Sequence, residues 1–310
     1  MRPIRTTLTA ALALLAIGGC VGCGGGTPQP RQLRIATGSP TAVYHAFGTA
    51  LAGVVERELA DVDASVLTTA ASAENVGLVA NGKAELGFTQ ADILASTQPL
   101  PEVRALARVY DDLLHLVVRA DSPIKTLADL RARRVSVGAA GSGTEVTVDR
   151  LLTVASLVGP GVVAQEHLNL DDSMTALAEG RIEAFFFSGG LPVQGIERLR
   201  GKTATRLVDL AEWVEPLRDA YSDVYVVRDV PTSVYRLPPV STIAVPNLLV
   251  VPASMADGLA FDLARSLMEH RDDLAAAHPA AERLEVRSAI ATAPVALHPG
   301  AARYFKSVKP

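Results

Sequence analysis

The chain has 310 residues, 49% of them hydrophobic and only 5% aromatic, two cysteines and a formal charge of −4 at neutral pH. A mildly acidic chain without a basic block argues against nucleic-acid binding. Both cysteines fall within the first 23 residues, so the globular part has neither a disulfide nor a cysteine-ligated metal to hold it and depends on its core.

The N-terminus predicts export. Arg2 and Arg5 precede an uncharged apolar run, Leu8 to Ile17. That run is too short for a bilayer core, which needs about 20 apolar residues. A basic start, a short apolar stretch and small residues at its exit read as a secretory signal peptide over residues 1–19. The exit, Ile17-Gly18-Gly19-Cys20, resembles the lipobox of bacterial lipoproteins. The resemblance implies cleavage before Cys20, lipidation of its thiol, and a cell-membrane anchor facing the periplasm or the cell exterior. Cys23, after Val21-Gly22, is the alternative lipid site, and a disulfide between the two would close only a trivial loop. Removing 19 of 310 residues leaves 291, and losing Arg2 and Arg5 takes the charge from −4 to −6. Residues 20–32, which include CGGGTPQP, read as a flexible tether.

The fold is predicted to begin at Leu33. LRIATGS reads as a buried strand running into a Gly turn. From Tyr44 to Leu59, Phe47, Leu51, Val54, Val55 and Leu59 share one helical face. ASVLTTA is a second strand, Ser72 to Asn81-Gly82 a second helix, and AELGFTQ a third strand. Strand–helix alternation of this kind implies a largely parallel sheet covered by helices. RVSVGAAGSGTE then repeats the opening, with Arg34 and Gly38 matched by Arg134 and Gly138, 100 residues on. NGKAELGF and EGRIEAFF repeat the end of the unit, with Gly82 matched by Gly180 at an offset of 98.

The repeat predicts two similarly built lobes, each a sheet covered by helices, in a two-lobed α/β fold of the type II periplasmic-binding-protein kind. Leu114 to Ala120 reads as the first crossover, and STIAVPNLLVVPASM, containing Pro246 and Pro252, as the return. Met255 to Met268 and Asp272 to Ala277 are predicted helices. Residues 33–118 with 247–310 are expected to form lobe 1 and residues 119–246 lobe 2, with the ligand cleft between them.

Enzyme signatures are missing. GAAGSGTE lacks the Lys of a P-loop, has Ala140 where a nucleophile elbow needs a Gly before Gly141-Ser142, and lacks the spacing of a dinucleotide fingerprint. His45, His115, His167, His270, His278 and His298 are scattered without metal-ligand spacing. No catalytic residue, metal or cofactor is expected. Two Gly/Ser turns at helix N-termini remain, Gly38-Ser39 and Gly141-Ser142-Gly143-Thr144. Such turns hold anions through free N–H groups and the helix dipole; they also serve as plain caps. Facing each other across a cleft, they would suit a small solute with a carboxylate.

IATGSPTAVYHAFGTAL, TTAASAENVGLVANGKAELGFTQADI, VSVGAAGSGTEVT and AFFFSGGLPVQGI resemble motifs of the TAXI family of solute-binding receptors, which serve TRAP transporters. The likeness spans most of Leu33 to Leu199. Pro40-Thr41-Ala42 and His45 depart from the family's Gly-rich turn and second aromatic. The resemblance implies a monomeric receptor, not an enzyme, that closes on a small organic acid or amino acid and presents it to a TRAP permease. The alternatives are a membrane sensor as partner, or an enzyme on the same fold. Carried over residue by residue, the candidate contacts are Gly38, Ser39, Tyr44, Gln90, Ser142, Gly143, Thr144 and Ser188. Asn75 and Asp92 read equally as structural caps, and Tyr225 and Tyr235 as cleft or core residues.

Overall fold

The computed structural model describes residues 30–96 and 100–309. The signal segment, Cys20, Cys23 and most of the tether lie outside the described residues. The tether is shorter than expected, because Arg31 and Gln32 already belong to β1 (Arg31–Ala36). They are drawn into the sheet by paired side chains on β2 (Val62–Leu67) and the turn before it: Arg31 donates to Asp61 at 3.2 Å and Gln32 to Asp63 at 2.7 Å.

The remaining strands are β3 (Leu86–Gln90), β4 (Val103–Arg119), β5 (Arg134–Ser136), β6 (Ala164–Glu166), β7 (Ala184–Gly189), β8 (Thr205–Leu207), β9 (Val226–Val230) and β10 (Val240–Pro252). The helices that bear on function are α1 (Val43–Glu58), α2 (Ser72–Ala80), α3 (Ala91–Ser96), α4 (Gly143–Val154) and α5 (Leu170–Ala178). β1 pairs in parallel with β2 and β3, and β5 pairs in parallel with β6 and β7. The two units therefore have the same strand order.

The repeat read from sequence is physical. The Arg34 N–H donates to Glu85 Oε2 at 2.7 Å, and the Arg34 guanidinium reaches the Gly82 carbonyl at 2.9 Å. In the second unit the Arg134 N–H donates to Glu183 Oε2 at 2.7 Å, and its guanidinium reaches the Gly180 carbonyl at 3.2 Å. Each arginine ties the start of one strand to the helix end and strand start that follow it.

Two separate sheets were expected, but the structure has one continuous ladder, β2-β1-β3-β10-β4-β7-β5-β6. The reason is that β4 and β10 keep pairing through the junction, with Ala244 opposite Leu113 and Val245 opposite Asp112. A proline inside a central strand normally removes a ladder bond. Pro246 is tolerated because the pairing of β10 with β9 stops at Ala244 and its pairing with β3 starts at Asn247, leaving a gap on one side of it.

Apolar spacing sets the packing. On α1 the predicted row Phe47, Leu51, Val54 and Val55 is buried against Leu33, Ile35 and Phe88. Each such side chain contributes roughly 1.5–3 kcal/mol on burial, so Phe47→Ala would loosen the seat of the whole helix. The C-terminal helices return to this first unit, with Leu263, Leu267, Tyr304 and Phe305 in the same cluster. No helix among the described residues is long and apolar enough to cross a membrane.

Candidate functional site

The strand ends of β1, β3, β5 and β7 and the first turns of α1, α2, α4 and α5 enclose one cavity of about 90 Å³ between the two units. Gly38, Ser39, Tyr44 and Gln90 line it from the first unit, and Ser142, Gly143, Thr144 and Ser188 from the second. All eight residues singled out in the sequence thus line the same cavity, four from each side.

The α4 turn shows why these residue types stand there. Gly138 has a φ of +103°, and a Cβ at this position would lie 2.8 Å from the Thr144 Cβ, so the strand can turn into the helix only with glycine. Ser142 is the N-cap and accepts from the Glu145 N–H at 3.1 Å, while Gly141 N–H donates to the Glu145 carboxylate at 2.6 Å. The capping reading of Ser142 therefore holds for its acceptor lone pair. The Gly143 and Thr144 N–H groups, in the first helical turn, have no intrahelical acceptor. Thr144 Oγ1 accepts from the Ser188 N–H at 3.1 Å and joins the loop to β7.

Four helix N-termini aimed at one space place partial positive charge around it. Among the described residues no Lys, Arg or His side chain lines the cavity, and Asp112 is the sole carboxylate there. No cluster of His, Cys, Asp or Glu among them could hold a metal ion.

The two units touch over the cavity. Gln90 Nε2 donates to Ser188 Oγ at 2.6 Å and to Asp112 Oδ2 at 3.0 Å. Thr41 Oγ1 donates to Asp171 at 2.7 Å, so a position where the TAXI pattern is broken makes a contact between the units. A Cβ at Gly143 would lie 2.1 Å from Gln90 Oε1, which makes this the tightest approach at the cavity. Beneath, Asp92 accepts from Thr147 at 2.9 Å and pairs with Arg150 at 3.2 Å.

Tyr44 was expected to contact the solute, but its hydroxyl is not free to do so. It instead donates to Asn247 Oδ1 and lies 3.3 Å from Ser72 Oγ, while its ring stacks on Phe88 at 5.1 Å. Tyr44 lines the wall, but its hydroxyl is committed to the floor. Asn75 is structural, donating to the carbonyls of Thr37 and Phe88. Tyr225 belongs to the Asp92–Arg150 group, at 2.9 and 2.7 Å, and Tyr235 packs on His115. None of these lines the cavity, nor does the half-buried His45.

Sequence reasoning missed Ser72, Tyr110, Asp112 and Asn247. Burial pushes the Asp112 carboxyl up to about 7; Asn247 and Gln90 oppose the rise, and the charges of Asp111 and Asp92 add to it. The available signal was Asp111-Asp112 inside an apolar stretch, since a fully buried acid is rare unless paired. His115, by contrast, is held neutral: burial lowers it to about 4, against hydrogen bonds that include the Phe187 carbonyl.

The NMT1-like family matches the chain over residues 35–308. The match is to this family, and the likeness to TAXI receptors rests on the motifs alone. Among solved structures, XAC2383 from Xanthomonas citri is 14% identical, with 89% of this chain and 95% of that chain covered and a TM-score of 0.54. The periplasmic aliphatic sulphonate binding protein SsuA from Escherichia coli is 16% identical, with 91% and 84% covered and a TM-score of 0.50. A putative L-cystine ABC transporter protein from Listeria monocytogenes is 12% identical, with 86% and 99% covered and a TM-score of 0.53. At these identities the likeness is one of fold, the type II periplasmic-binding-protein fold.

Proposed function

The chain belongs to the NMT1-like family, and from that premise we propose that it is an extracytoplasmic solute-binding receptor. It captures a small solute bearing a carboxylate or related anionic group and delivers it to a membrane permease. The observation that carries this reading is the convergence of four helix N-termini on one cavity with no cationic side chain on its wall. Backbone N–H groups and hydroxyls orient an anion there, which serves capture and release without turnover.

In this reading residues 33–118 with 247–310 form one lobe, residues 119–246 the other, and β4 and β10 the hinge. Gly38, Ser39 and Gln90 face Ser142, Gly143, Thr144 and Ser188 across the solute, and Cys20 carries the lipid that tethers the receptor. The motifs favour a permease of the TRAP type, whereas the neighbour described as an L-cystine ABC transporter protein favours the ABC type. Pull-down of membrane proteins with the lipidated receptor separates the two, and recovery of a signalling protein instead would favour a sensor.

A thermal-shift screen of the mature chain against small carboxylates and sulfonates tests the core of the proposal. A solute bound only by the folded state stabilises it by about 2.7 kcal/mol at a hundred times its Kd. A concentration-dependent rise in Tm with at least one such anion is the expected result; no shift with any of them would overturn the reading.

A further inference from the structure

The two faces of the sheet join the units differently, and β10, which runs through both, shows it. Ile243, Val245, Leu248 and Val250 all belong to one core cluster. Ala244 belongs to a second cluster, and Leu249 and Val251 to a third. Alternate residues of a strand point to opposite faces. The apolar core is therefore continuous across the units on one face and divided on the other.

On the continuous face α3 of the first unit packs on α4 of the second. Ile93 and Leu94 share a cluster with Val148, Leu151 and Leu152. A polar group is set into this contact. Asp92 Oδ2 accepts from Thr147 Oγ1 and from the Tyr225 hydroxyl, both at 2.9 Å, and pairs with Arg150 at 3.2 Å. All four residues are buried. Drawing Asp92 and Arg150 apart would strand a charge away from water, which is strongly unfavourable. This side resists separation.

On the divided face the units meet through polar contacts at their rims. Thr41, just before α1, donates to Asp171 of α5 at 2.7 Å, and both residues are only half-buried. His278 Nδ1 accepts from the Ala280 N–H, so Nε2 carries the proton of the neutral ring and donates to the Pro192 carbonyl at 3.2 Å. A groove of about 820 Å³ runs between the units on this side. Arg108, Pro279 and Arg283 line it from the first unit, and Leu191, Glu197 and Val234 from the second. A seam with such a groove in it holds little packing to lose.

Resting on the receptor reading above, we propose that the units open on one side only. The α3–α4 contact stays joined at Asp92 and Arg150, α1 swings away from α5, and the solute enters through the gap that opens at Thr41 and Asp171. The cavity lies among the first turns of α1, α2, α4 and α5, so rotation about the α3–α4 contact uncovers it from the α1–α5 side. Thr41 and Asp171 form the gate.

The test is pulsed electron-spin distance measurement. Cys20 and Cys23 are the only cysteines, so with both replaced by Ser any introduced pair is labelled uniquely. Thr49→Cys with Thr175→Cys spans α1 and α5, and Ser96→Cys with Thr153→Cys spans α3 and α4; all four positions are exposed. Each pair is measured in the mature, solute-free chain with and without Thr41→Ala and Gln90→Leu, which remove the side-chain bonds to Asp171 and Ser188. In the substituted chain the α1–α5 distance should lengthen by at least about 5 Å while the α3–α4 distance holds within about 2 Å, the range over which packed helices shift. Equal lengthening of both distances would overturn one-sided opening, and so would no change in either. No solute takes part, so these outcomes leave the receptor reading to its own thermal-shift test.

Discussion

Gln90, the last residue of β3, and Ser188, near the end of β7, stand 98 residues apart at equivalent places in the two repeated units and bond to each other at 2.6 Å. The same offset of 98 separates Gly82 from Gly180. The duplicated architecture thus brings corresponding residues face to face, and the bond between them spans the two walls of the cavity.

Breaking that bond separates closure from folding. Gln90→Leu removes the donor to the half-buried Ser188 hydroxyl and to the buried Asp112 carboxyl. We expect ten- to hundredfold weaker solute binding, since hydrogen bonds to charged groups are worth roughly 1.5–3 kcal/mol. Solution scattering should show a larger radius of gyration for the variant in the absence of solute, and calorimetry the loss of affinity.

The stability of the empty receptor should fall with rising pH on account of Asp112. Its folded-state value, about 7, is raised above the unfolded value of about 3.9. The native state therefore favours the protonated form: the stabilisation is complete below pH ~4 and lost as pH climbs through 7. At roughly 1.4 kcal/mol per unit the loss is at most about 4 kcal/mol by pH 8. Asp112→Asn should melt with the wild type at pH 4 and above it at pH 8. Parallel melting curves at both pH values would mean that Asp112 is not buried as described.

His115 acts in the opposite sense. Its folded-state value, about 4, lies below the unfolded value of about 6.5. The stability it contributes is present above pH 6.5 and lost as pH falls through 4. Measured in the Asp112→Asn background, where the opposing trend is gone, Tm should drop across this window. His115→Gln should flatten the drop, even though it also loses the 3.0 Å contact with the Tyr235 hydroxyl.

Tyr44→Phe separates wall from floor. Its hydroxyl serves Asn247, so its loss strands a buried acceptor and should cost about 1–3 kcal/mol of stability. Chemical denaturation should register that cost, with solute affinity changing less than it does in Gln90→Leu.

What was legible in the sequence follows from how local the signal is. The strand–Gly–helix turns at Gly38 and Gly138–Thr144 carry their geometry in neighbouring residues, so both walls were readable. The Arg34–Glu85 and Arg134–Glu183 ties repeat at fixed spacing and exposed the duplication. The Asp111-Asp112 pair was visible, but the place of Tyr110 and Asp112 at the cavity was not, because nothing local tells that β4 runs 17 residues through both units. Its first half mixes Arg104, Arg108, Asp111 and Asp112 with apolar residues, which blurs any period of two. The direction of the Tyr44 hydroxyl depends on Asn247, 203 residues away. The short β8 and the largely exposed β9 left no apolar pattern to read.

The most direct test of the claim that solute is held between the two units is a calorimetric titration of the mature wild type and Gly143→Ala with the carboxylate or sulfonate that gives the largest thermal shift. A Cβ at Gly143 would lie 2.1 Å from Gln90 Oε1, so the substitution holds the walls apart while leaving the α4 helix intact. The wild type should give a saturable one-site isotherm, and Gly143→Ala should bind at least tenfold more weakly while still unfolding in one cooperative transition. Equal affinity in the two proteins would contradict capture in this cavity.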